Sequence, residues 1–205
     1  MPDKPELKVT VFSDYICPFC YIGDARLNRL RDDYDLKVNW CFLEIHPETS
    51  AAGEPVTALD YSNEQWQRMM DTLSVMAAEE GLVLRDHDFT TNSRSALLLA
   101  EAAKQCGADC FYRLHAAIFE AFFVRGDNIG DRAVLTRLAR QAGVPDDAVA
   151  AAWGEDDMEQ RLRAYALAAH QLEVRATPTF FIGERRLDGA VPVDSLLDAA
   201  RVALA

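Results

Sequence analysis

The stretch Asp14-Tyr-Ile-Cys17-Pro-Phe-Cys20 places two cysteines two residues apart, directly after an alternating apolar run. That run, Leu7 to Phe12, is typical of a β-strand, and a helical pattern through Leu30 follows the second cysteine. The pair therefore lies where a strand leads into a helix. Unpaired N–H groups at a helix N-terminus favour a thiolate, which makes Cys17 a candidate nucleophile for disulfide exchange.

Other interpretations of this pair are two inert buried cysteines, a structural disulfide, or half of a zinc site. A disulfide between Cys17 and Cys20 would close a very short ring, which disfavours a structural role. Structural zinc commonly takes four ligands from two such pairs, and no second Cys-x-x-Cys exists. The remaining cysteines and the histidines show no ligand spacing, so no metal is predicted: Cys41, Cys106, Cys110, His46, His87, His115 and His170. A redox role is favoured.

A second informative stretch is Arg175-Ala-Thr177-Pro178-Thr-Phe-Phe-Ile-Gly183, where a proline precedes an apolar strand. Proline cannot donate to a sheet ladder, which suits a strand's first position, and X-Pro bonds alone take the cis form at low cost. An ordinary trans proline is the alternative. A tight turn, a short run and a helix follow. Strand, Cys-x-x-Cys helix, strand, Thr-Pro, hairpin and helix predict an α/β thioredoxin fold with a mixed sheet.

These two runs resemble the DsbA-like thioredoxin superfamily, and within it the branch of FrnE-type and 2-hydroxychromene-2-carboxylate isomerase-like proteins. The resemblance is carried by residues 14–23 and 176–183, with weaker support from Asn92-Ser93 and from residues 128–131. It implies a cis bond between Thr177 and Pro178 that packs against the dithiol. Independently of the resemblance, the helical period between the two runs predicts a large all-helical insertion within the fold.

In the predicted mechanism Cys17 is the nucleophile, and Cys20, one turn into the helix and buried, is the resolving thiol. Pro18 presets the first helical turn. Phe19 lacks the charge that a histidine would bring, so the helix terminus is expected to be the main cause of a lowered Cys17 pKa. Pro18 and Phe19 are thus supporting residues.

Thr177 and Pro178 are expected to lie against the dithiol and to bind substrate. A proline there would block metal chelation by the thiols, and the Thr177 backbone would pair with an extended peptide. The alternative is that Thr177 is a residue before a strand with no substrate role.

A general base is not assigned from the sequence. Several thioredoxin relatives carry a buried acid six residues before the nucleophile, where this chain has Val11. Asp14 and Glu44 are candidate substitutes, although a turn residue or a solvated carboxylate is the simpler interpretation of each. Cys106 and Cys110 flank a helix corner, where they are either a second redox pair or small buried core cysteines.

The length of 205 residues suits one domain with an insertion. Residues 1–62 and 172–205 are predicted to form the thioredoxin-fold part. The helical period that begins near Asn63 and ends near Leu172 assigns residues 63–171 to an inserted helical subdomain. Neither sheet half would bury its faces alone, which favours insertion over separate domains.

Composition narrows the class of protein. The net charge of -12 argues against a nucleic-acid partner, and no segment has the length and apolarity of a membrane span. The polar stretch Met1–Glu6 lacks an apolar signal core, so a cytoplasmic protein is expected. In that compartment a Cys-x-x-Cys pair is more often catalytic than structural. The expected partners are thiol or disulfide proteins and peptides, with glutathione a candidate co-substrate and no tightly bound cofactor.

Three functions fit these features. The first is a dithiol–disulfide oxidoreductase or isomerase. The second is a glutathione-dependent isomerase or transferase of the 2-hydroxychromene-2-carboxylate or kappa type, in which serine generally replaces Cys17. The third is a non-enzymatic, chaperone-like peptide-binding module. The intact pair favours the first, because neither other function needs a resolving thiol.

Overall fold

The computed structural model describes residues 4–85, 88–154 and 156–205. Its main sheet has four strands in the order β2-β1-β5-β6. The β1–β2 pair is parallel, whereas β1–β5 and β5–β6 are antiparallel. The strands are β1 (Glu6–Ser13), β2 (Asp35–Phe42), β5 (Thr179–Ile182) and β6 (Arg185–Asp188), and β3 (Glu54–Pro55) and β4 (Phe89–Thr90) form a separate two-stranded sheet. The predicted mixed thioredoxin sheet is confirmed.

Helix α1 (Pro18–Asn28) joins β1 to β2, which makes a βαβ unit with parallel strands. In the described residues six α-helices lie between β2 and β5, in agreement with the predicted helical insertion, and α8 (Val193–Ala203) closes the fold. The six are α2 (Asn63–Glu79), α3 (Arg94–Ala103), α4 (Ala108–Glu120), α5 (Arg132–Ala142), α6 (Asp146–Gly154) and α7 (Asp156–Gln171).

The hydrophobic core explains why β1 is a central strand. Its side chains alternate between exposed and buried as far as Val9, and from Val11 onward both faces are buried. One large cluster of buried side chains continues from the sheet into α3, α4 and α5. The helices and the sheet therefore share one core. Near residue 63 the chain passes from the sheet part to the helical part without leaving that core.

The helical pattern that the sequence shows through Leu30 covers two elements, because α1 ends at Asn28 and a 3₁₀ turn covers Arg29–Asp32. Helix α4 begins after Gly107, and Asp109 lies in its first turn. Across the described ranges, none of the helices has the length and apolar character needed to cross a membrane.

Candidate active site

The two thiols sit at the start of α1. Cys17 is the N-cap residue, with φ −85° and ψ 112°, and Pro18 is the first helical residue. The carbonyl oxygen of Cys17 accepts the backbone N–H groups of Cys20 at 3.0 Å and Tyr21 at 3.4 Å. Cys17 is 5% exposed and Cys20 is 1% exposed, and both are free thiols. Cys17 is thus the more accessible sulfur.

The loop before β5 lies directly against Cys17. The Thr177–Pro178 peptide bond is cis. The Cys17 thiol donates a hydrogen bond to the Thr177 carbonyl oxygen at 3.3 Å. The Pro178 carbonyl accepts the N–H of Gly189 at 2.7 Å, which connects this loop to the segment after β6. The sequence-predicted residues Cys17, Cys20, Thr177 and Pro178 therefore occupy one site.

The surroundings separate the two thiol pKa values. The Cys20 thiol is the largest influence on Cys17 and lowers the Cys17 pKa by donating to its sulfur; burial opposes this, while the Thr177 side chain and the Cys20 N–H add to it. Burial, followed by the neighbouring Cys17 sulfur, raises the pKa of Cys20 well above its usual range. The expectation that the helix terminus dominates is therefore wrong, because a neighbouring thiol is the stronger donor to the Cys17 sulfur.

Asp14 differs most from its sequence interpretation. Its side chain is fully buried, so it is not a solvated carboxylate, although its backbone and side-chain oxygens accept the N–H groups of Cys17 and Ile16 as a turn residue does. Burial raises its pKa to about 6, against hydrogen bonds from the Ile45 N–H and the Ile16 N–H that favour the charged form. The free-energy cost of burying a charged carboxylate exceeds the stabilisation that these N–H donors give to the charged form.

Glu44 belongs to a polar network at the edge of the site. Its carboxylate pairs with Arg94 at 2.7 Å and accepts a hydrogen bond from the Asn92 amide at 2.8 Å. Arg94 also donates to both oxygens of Glu159 on α7. These contacts join the segment after β2 to α3 and α7, so Glu44 is a partly buried, paired carboxylate.

A cavity of about 860 Å³ opens beside Cys17 between the dithiol, α2 and α7. Most of its lining is apolar, including Phe19, Trp66, Met69 and Met70. Met69 and Met70 of α2 thus face this space. Four arginines line it, although the chain as a whole is acidic: Arg85, Arg94, Arg163 and Arg175.

Cys106 and Cys110 lie apart from this cavity. Cys106 is half-buried and Cys110 is buried. Burial, followed by the charge of the Cys110 sulfur, raises the pKa of Cys106, which makes it a poor nucleophile. Cys41 is buried, and burial raises its pKa to about 11. His87 lies outside the described residues, and within them no cluster of three histidine, cysteine, aspartate or glutamate residues is arranged to hold a metal ion.

Gly23 on α1 is a site residue whose role the sequence alone does not predict. A Cβ atom there would lie 2.8 Å from Cγ of Pro178 and 3.1 Å from Cζ of Phe180. Only a glycine lets α1 approach the proline loop this closely. The sequence does not reveal this contact, because Pro178 is more than 150 residues away in the chain.

A Cys-x-x-Cys pair on the first turn of a helix, against an X-Pro loop of the same sheet, defines a thioredoxin-fold thiol protein. The chain belongs to the DSBA-like thioredoxin domain family, which matches residues 8–201. An uncharacterized protein of Bacillus subtilis (strain 168), YwbO, is 30% identical over 191 residues, covering 91% of this chain and 92% of that protein.

Solved structures agree on the fold. A "probable DsbA oxidoreductase" from Streptomyces coelicolor is 26% identical, with a TM-score of 0.82 and coverage of 97% of this chain and 90% of that one. A 2-hydroxychromene-2-carboxylate isomerase is 21% identical, with a TM-score of 0.71 and coverage of 97% and 96%. The cytosolic disulfide reductase DsbM from Pseudomonas aeruginosa, also solved with glutathione, is 19% identical in its free form, with a TM-score of 0.70 and coverage of 97% and 100%.

Proposed function

We propose that this protein is a dithiol–disulfide oxidoreductase that acts on protein or small-molecule disulfides. The observation that carries the proposal is the environment of Cys17. Its sulfur receives hydrogen bonds that favour the thiolate, contacts the Thr177 carbonyl, and borders a cavity large enough for a substrate. A lowered pKa and an adjoining cavity are not expected of a buried structural cysteine.

The proposed reaction has two exchange steps. The Cys17 thiolate attacks one sulfur of the substrate disulfide, which forms a mixed disulfide and releases the first substrate thiolate. Cys20 then loses its proton and attacks the Cys17 sulfur, which releases the second substrate thiolate and leaves a Cys17–Cys20 disulfide. The substrate gains two electrons, and the protein dithiol loses them.

The raised pKa of Cys20 supports this order of events. A thiol that stays protonated in the free protein does not compete with Cys17 for substrate. Its proton becomes easier to lose once the Cys17 sulfur is bonded to substrate, because the neighbouring negative charge has then gone. Cys17 is therefore proposed as the attacking thiol and Cys20 as the resolving thiol.

The substrate chain is proposed to lie along the Thr177–Pro178 loop. The Thr177 carbonyl oxygen is already an acceptor for the Cys17 thiol, so it becomes free to accept from a substrate N–H when that proton is lost. Pro18 and Phe19 border the same cavity and would contact the residue next to the substrate sulfur.

Glutathione is the proposed electron donor or co-substrate. The support is the glutathione complex of DsbM, a relative that shares the fold. The direction of exchange follows the redox poise of the compartment. In the cytosol, which we propose as the compartment, reduced glutathione would regenerate the dithiol and the protein would act as a reductase or isomerase.

The test is glutathione-driven reduction of insulin and of a small mixed disulfide by wild type, Cys17→Ser, Cys20→Ser and the matched control Cys41→Ala. Wild type and Cys41→Ala should accelerate reduction, and Cys17→Ser should not. Cys20→Ser should accumulate a mixed disulfide visible by mass spectrometry. The proposal fails if wild type is no faster than buffer or if Cys17→Ser keeps its activity.

The same variants distinguish the other two functions. An isomerase or transferase, as the likeness to 2-hydroxychromene-2-carboxylate isomerase would suggest, should retain its turnover without Cys20. A chaperone-like module should suppress insulin aggregation in both serine variants. If the wild-type protein does not reduce disulfides and shows one of these two activities, that activity replaces the oxidoreductase as the proposed function.

A further inference from the structure

The loop between α7 and β5 carries the proposed substrate contact, and both of its ends are attached to one strand. This loop, residues 174–178, includes Thr177. Strand β6 pairs with β5 in antiparallel register and places Asp188 opposite Thr179, the first residue after the loop. Arg186 lies two residues before Asp188 on β6, so the two side chains are on the same face of the strand. They are therefore placed to act together on the loop.

Arg186 holds the start of the loop. Its Nη1 atom donates to the Leu172 carbonyl oxygen at 2.9 Å, and its Nη2 atom donates to the Glu173 carbonyl oxygen at 2.9 Å. These carbonyls follow the last turn of α7, where backbone oxygens lack helical partners and attract a cation. Glu173 has a φ of 52°, in the left-handed region that residues other than glycine rarely adopt. Arg186 thus fixes the backbone where the chain leaves α7 for the loop.

Asp188 holds the end of the loop. The buried Thr179 hydroxyl can donate to Oδ1 of Asp188 at 2.9 Å or to the Ala176 carbonyl oxygen at 2.8 Å. The residue after Asp188, Gly189, donates its N–H to the Pro178 carbonyl oxygen at 2.7 Å. This end of the loop is therefore attached to the C-terminal end of β6 by a side chain and by a backbone group.

The two residues that hold the loop also bind each other. Nε of Arg186 donates to Oδ1 of Asp188 at 2.8 Å and to Oδ2 at 3.1 Å. The side chains are 30% and 49% exposed, so the ion pair by itself should contribute little to stability. Its geometry is more informative, because the planar fork of an arginine can bind two carbonyls and a carboxylate at fixed angles. One continuous set of hydrogen bonds thus runs from the end of α7 through β6 to the start of β5.

Resting on the function proposed above, we propose that Arg186 and Asp188 are positioning residues that hold the 174–178 loop in the shape that pairs with the backbone of an extended peptide. The Thr177 carbonyl lies between the two attachment points and accepts the Cys17 thiol at 3.3 Å. A loop that is ordered before binding loses less entropy in the complex, so the pair increases the affinity for peptides. A small disulfide without amide groups does not use this carbonyl pairing. The pair therefore favours peptide disulfides over small ones.

The first test compares two disulfides of 2-mercaptoethanol, one with an unstructured single-cysteine peptide and one with itself. Single turnovers of the pre-reduced protein make glutathione unnecessary. The variants are wild type, Arg186→Gln, Asp188→Ala and the matched control Arg185→Gln, an exposed arginine on the same strand. Arg186→Gln and Asp188→Ala should raise the half-saturating peptide concentration about 5- to 10-fold and change the limiting rate less than about twofold.

The small disulfide is the internal control of this test. All variants should react with bis(2-hydroxyethyl) disulfide at the wild-type rate, and Arg185→Gln should match wild type with both substrates. A mainly structural role for the pair would slow both substrates equally. Equal losses with the two disulfides, or no loss with the peptide, would overturn the inference.

Arg186→Lys separates charge from geometry. Lysine keeps the positive charge, but its single ammonium group cannot reproduce the arginine fork that reaches two carbonyls and the carboxylate. This variant should therefore resemble Arg186→Gln with the peptide substrate. Peptide binding at the wild-type level in Arg186→Lys would contradict a role that depends on the fork.

The second test needs no substrate. Amide hydrogen exchange of Gly189, measured by NMR, reports its hydrogen bond to the Pro178 carbonyl. Exchange should be at least about tenfold faster in Arg186→Gln and Asp188→Ala than in wild type and Arg185→Gln, because the end of the loop opens more often. Equal exchange in all four proteins would refute the inference. Faster exchange in a protein that reduces neither disulfide would support the attachment of the loop and refute only the proposed function.

Discussion

The thiol of Cys17 donates to the backbone oxygen of Thr177 at 3.3 Å, although the two residues are 160 positions apart in the chain. This contact brings the N-terminal βαβ unit and the C-terminal hairpin together at one sulfur. The same carbonyl is an acceptor that a bound peptide would require. The Cys17 sulfur and the Thr177 carbonyl oxygen thus serve both the chemistry of the site and the contact between the two ends of the chain.

Selective alkylation should follow from the opposite pKa changes of the two thiols. At neutral pH iodoacetamide should modify Cys17 at least about tenfold faster than Cys20, since a difference of only one pKa unit changes the thiolate fraction tenfold. Cys41 and Cys106 should react slowly, because burial raises the pKa of each. Peptide mass spectrometry after timed quenching measures this, and equal labelling of Cys17 and Cys20 would contradict it.

Gly23→Ala should disturb the site without touching either thiol. The added methyl would lie 2.8 Å from Cγ of Pro178, so either α1 or the loop must shift, at a cost of about 1–3 kcal/mol in unfolding free energy. Gly154→Ala is the matched control, because no atom of the described residues beyond its chain neighbours lies within 4 Å of its Cβ position and alanine favours a helix by up to about 1 kcal/mol. Urea unfolding measures both, and a stable Gly23→Ala variant would show that the loop yields easily.

The sequence predicts the fold because its signals are local and mutually consistent. Alternation in β1, the Cys-Pro turn and Pro178 each indicate one element, and their order leaves few topologies. The burial of Asp14 is different, since it depends on Ile45 and Ser93, which are distant in sequence. From the sequence alone, a carboxylate three residues before a nucleophile is interpreted as solvated, because the distant residues that bury it are not known. The main donor to Cys17 was missed for a related reason, because the orientation of the Cys20 thiol is a property of the folded turn.

Arg26→Met should unfold the protein more readily than its surface neighbour. The Arg26 side chain is 3% exposed and binds Glu79 at 2.6 Å, Glu80 at 2.9 Å and the Ala190 carbonyl at 2.6 Å, which joins α1 to the end of α2. Without the Arg26 guanidinium, the 7%-exposed Glu80 keeps only the ion pair with the exposed Arg29 among the described residues. The free energy of unfolding should fall by about 3–5 kcal/mol.

Arg29→Gln is the control for this variant, because Arg29 is 60% exposed and pairs with Glu80 at 3.3 Å. Its loss should cost no more than about 1 kcal/mol. Chemical denaturation compares the two. Equal destabilisation by the two variants would mean that the exposed Arg29–Glu80 pair stabilises the protein as much as the buried Arg26 contacts do. It would contradict the assignment of Arg26 as the main link between α1 and α2.

Asp14 should make the stability of the protein depend on pH in a predictable direction. Its folded-state pKa of about 6 is raised above the usual 3.8, so the folded protein holds this proton more tightly than the unfolded chain does. The associated stabilisation is fully present below about pH 3.8 and is lost as pH rises through about 6. Between pH 4 and pH 8 wild type should lose about 2.5 kcal/mol relative to Asp14→Asn, since each pKa unit corresponds to about 1.4 kcal/mol and a small part of the full effect is already lost at pH 4.

The variant carries its own cost, which the pH dependence separates. An asparagine replaces one acceptor oxygen with an NH₂ group, although Asp14 accepts N–H groups on both oxygens, from Ile16 and Ile45. That mismatch lowers the unfolding free energy by a similar amount at every pH. Only the change in the difference between the two proteins reports the titration of the carboxyl. A difference that stays constant from pH 4 to pH 8 would mean that Asp14 carries a normal, solvated charge in the folded state.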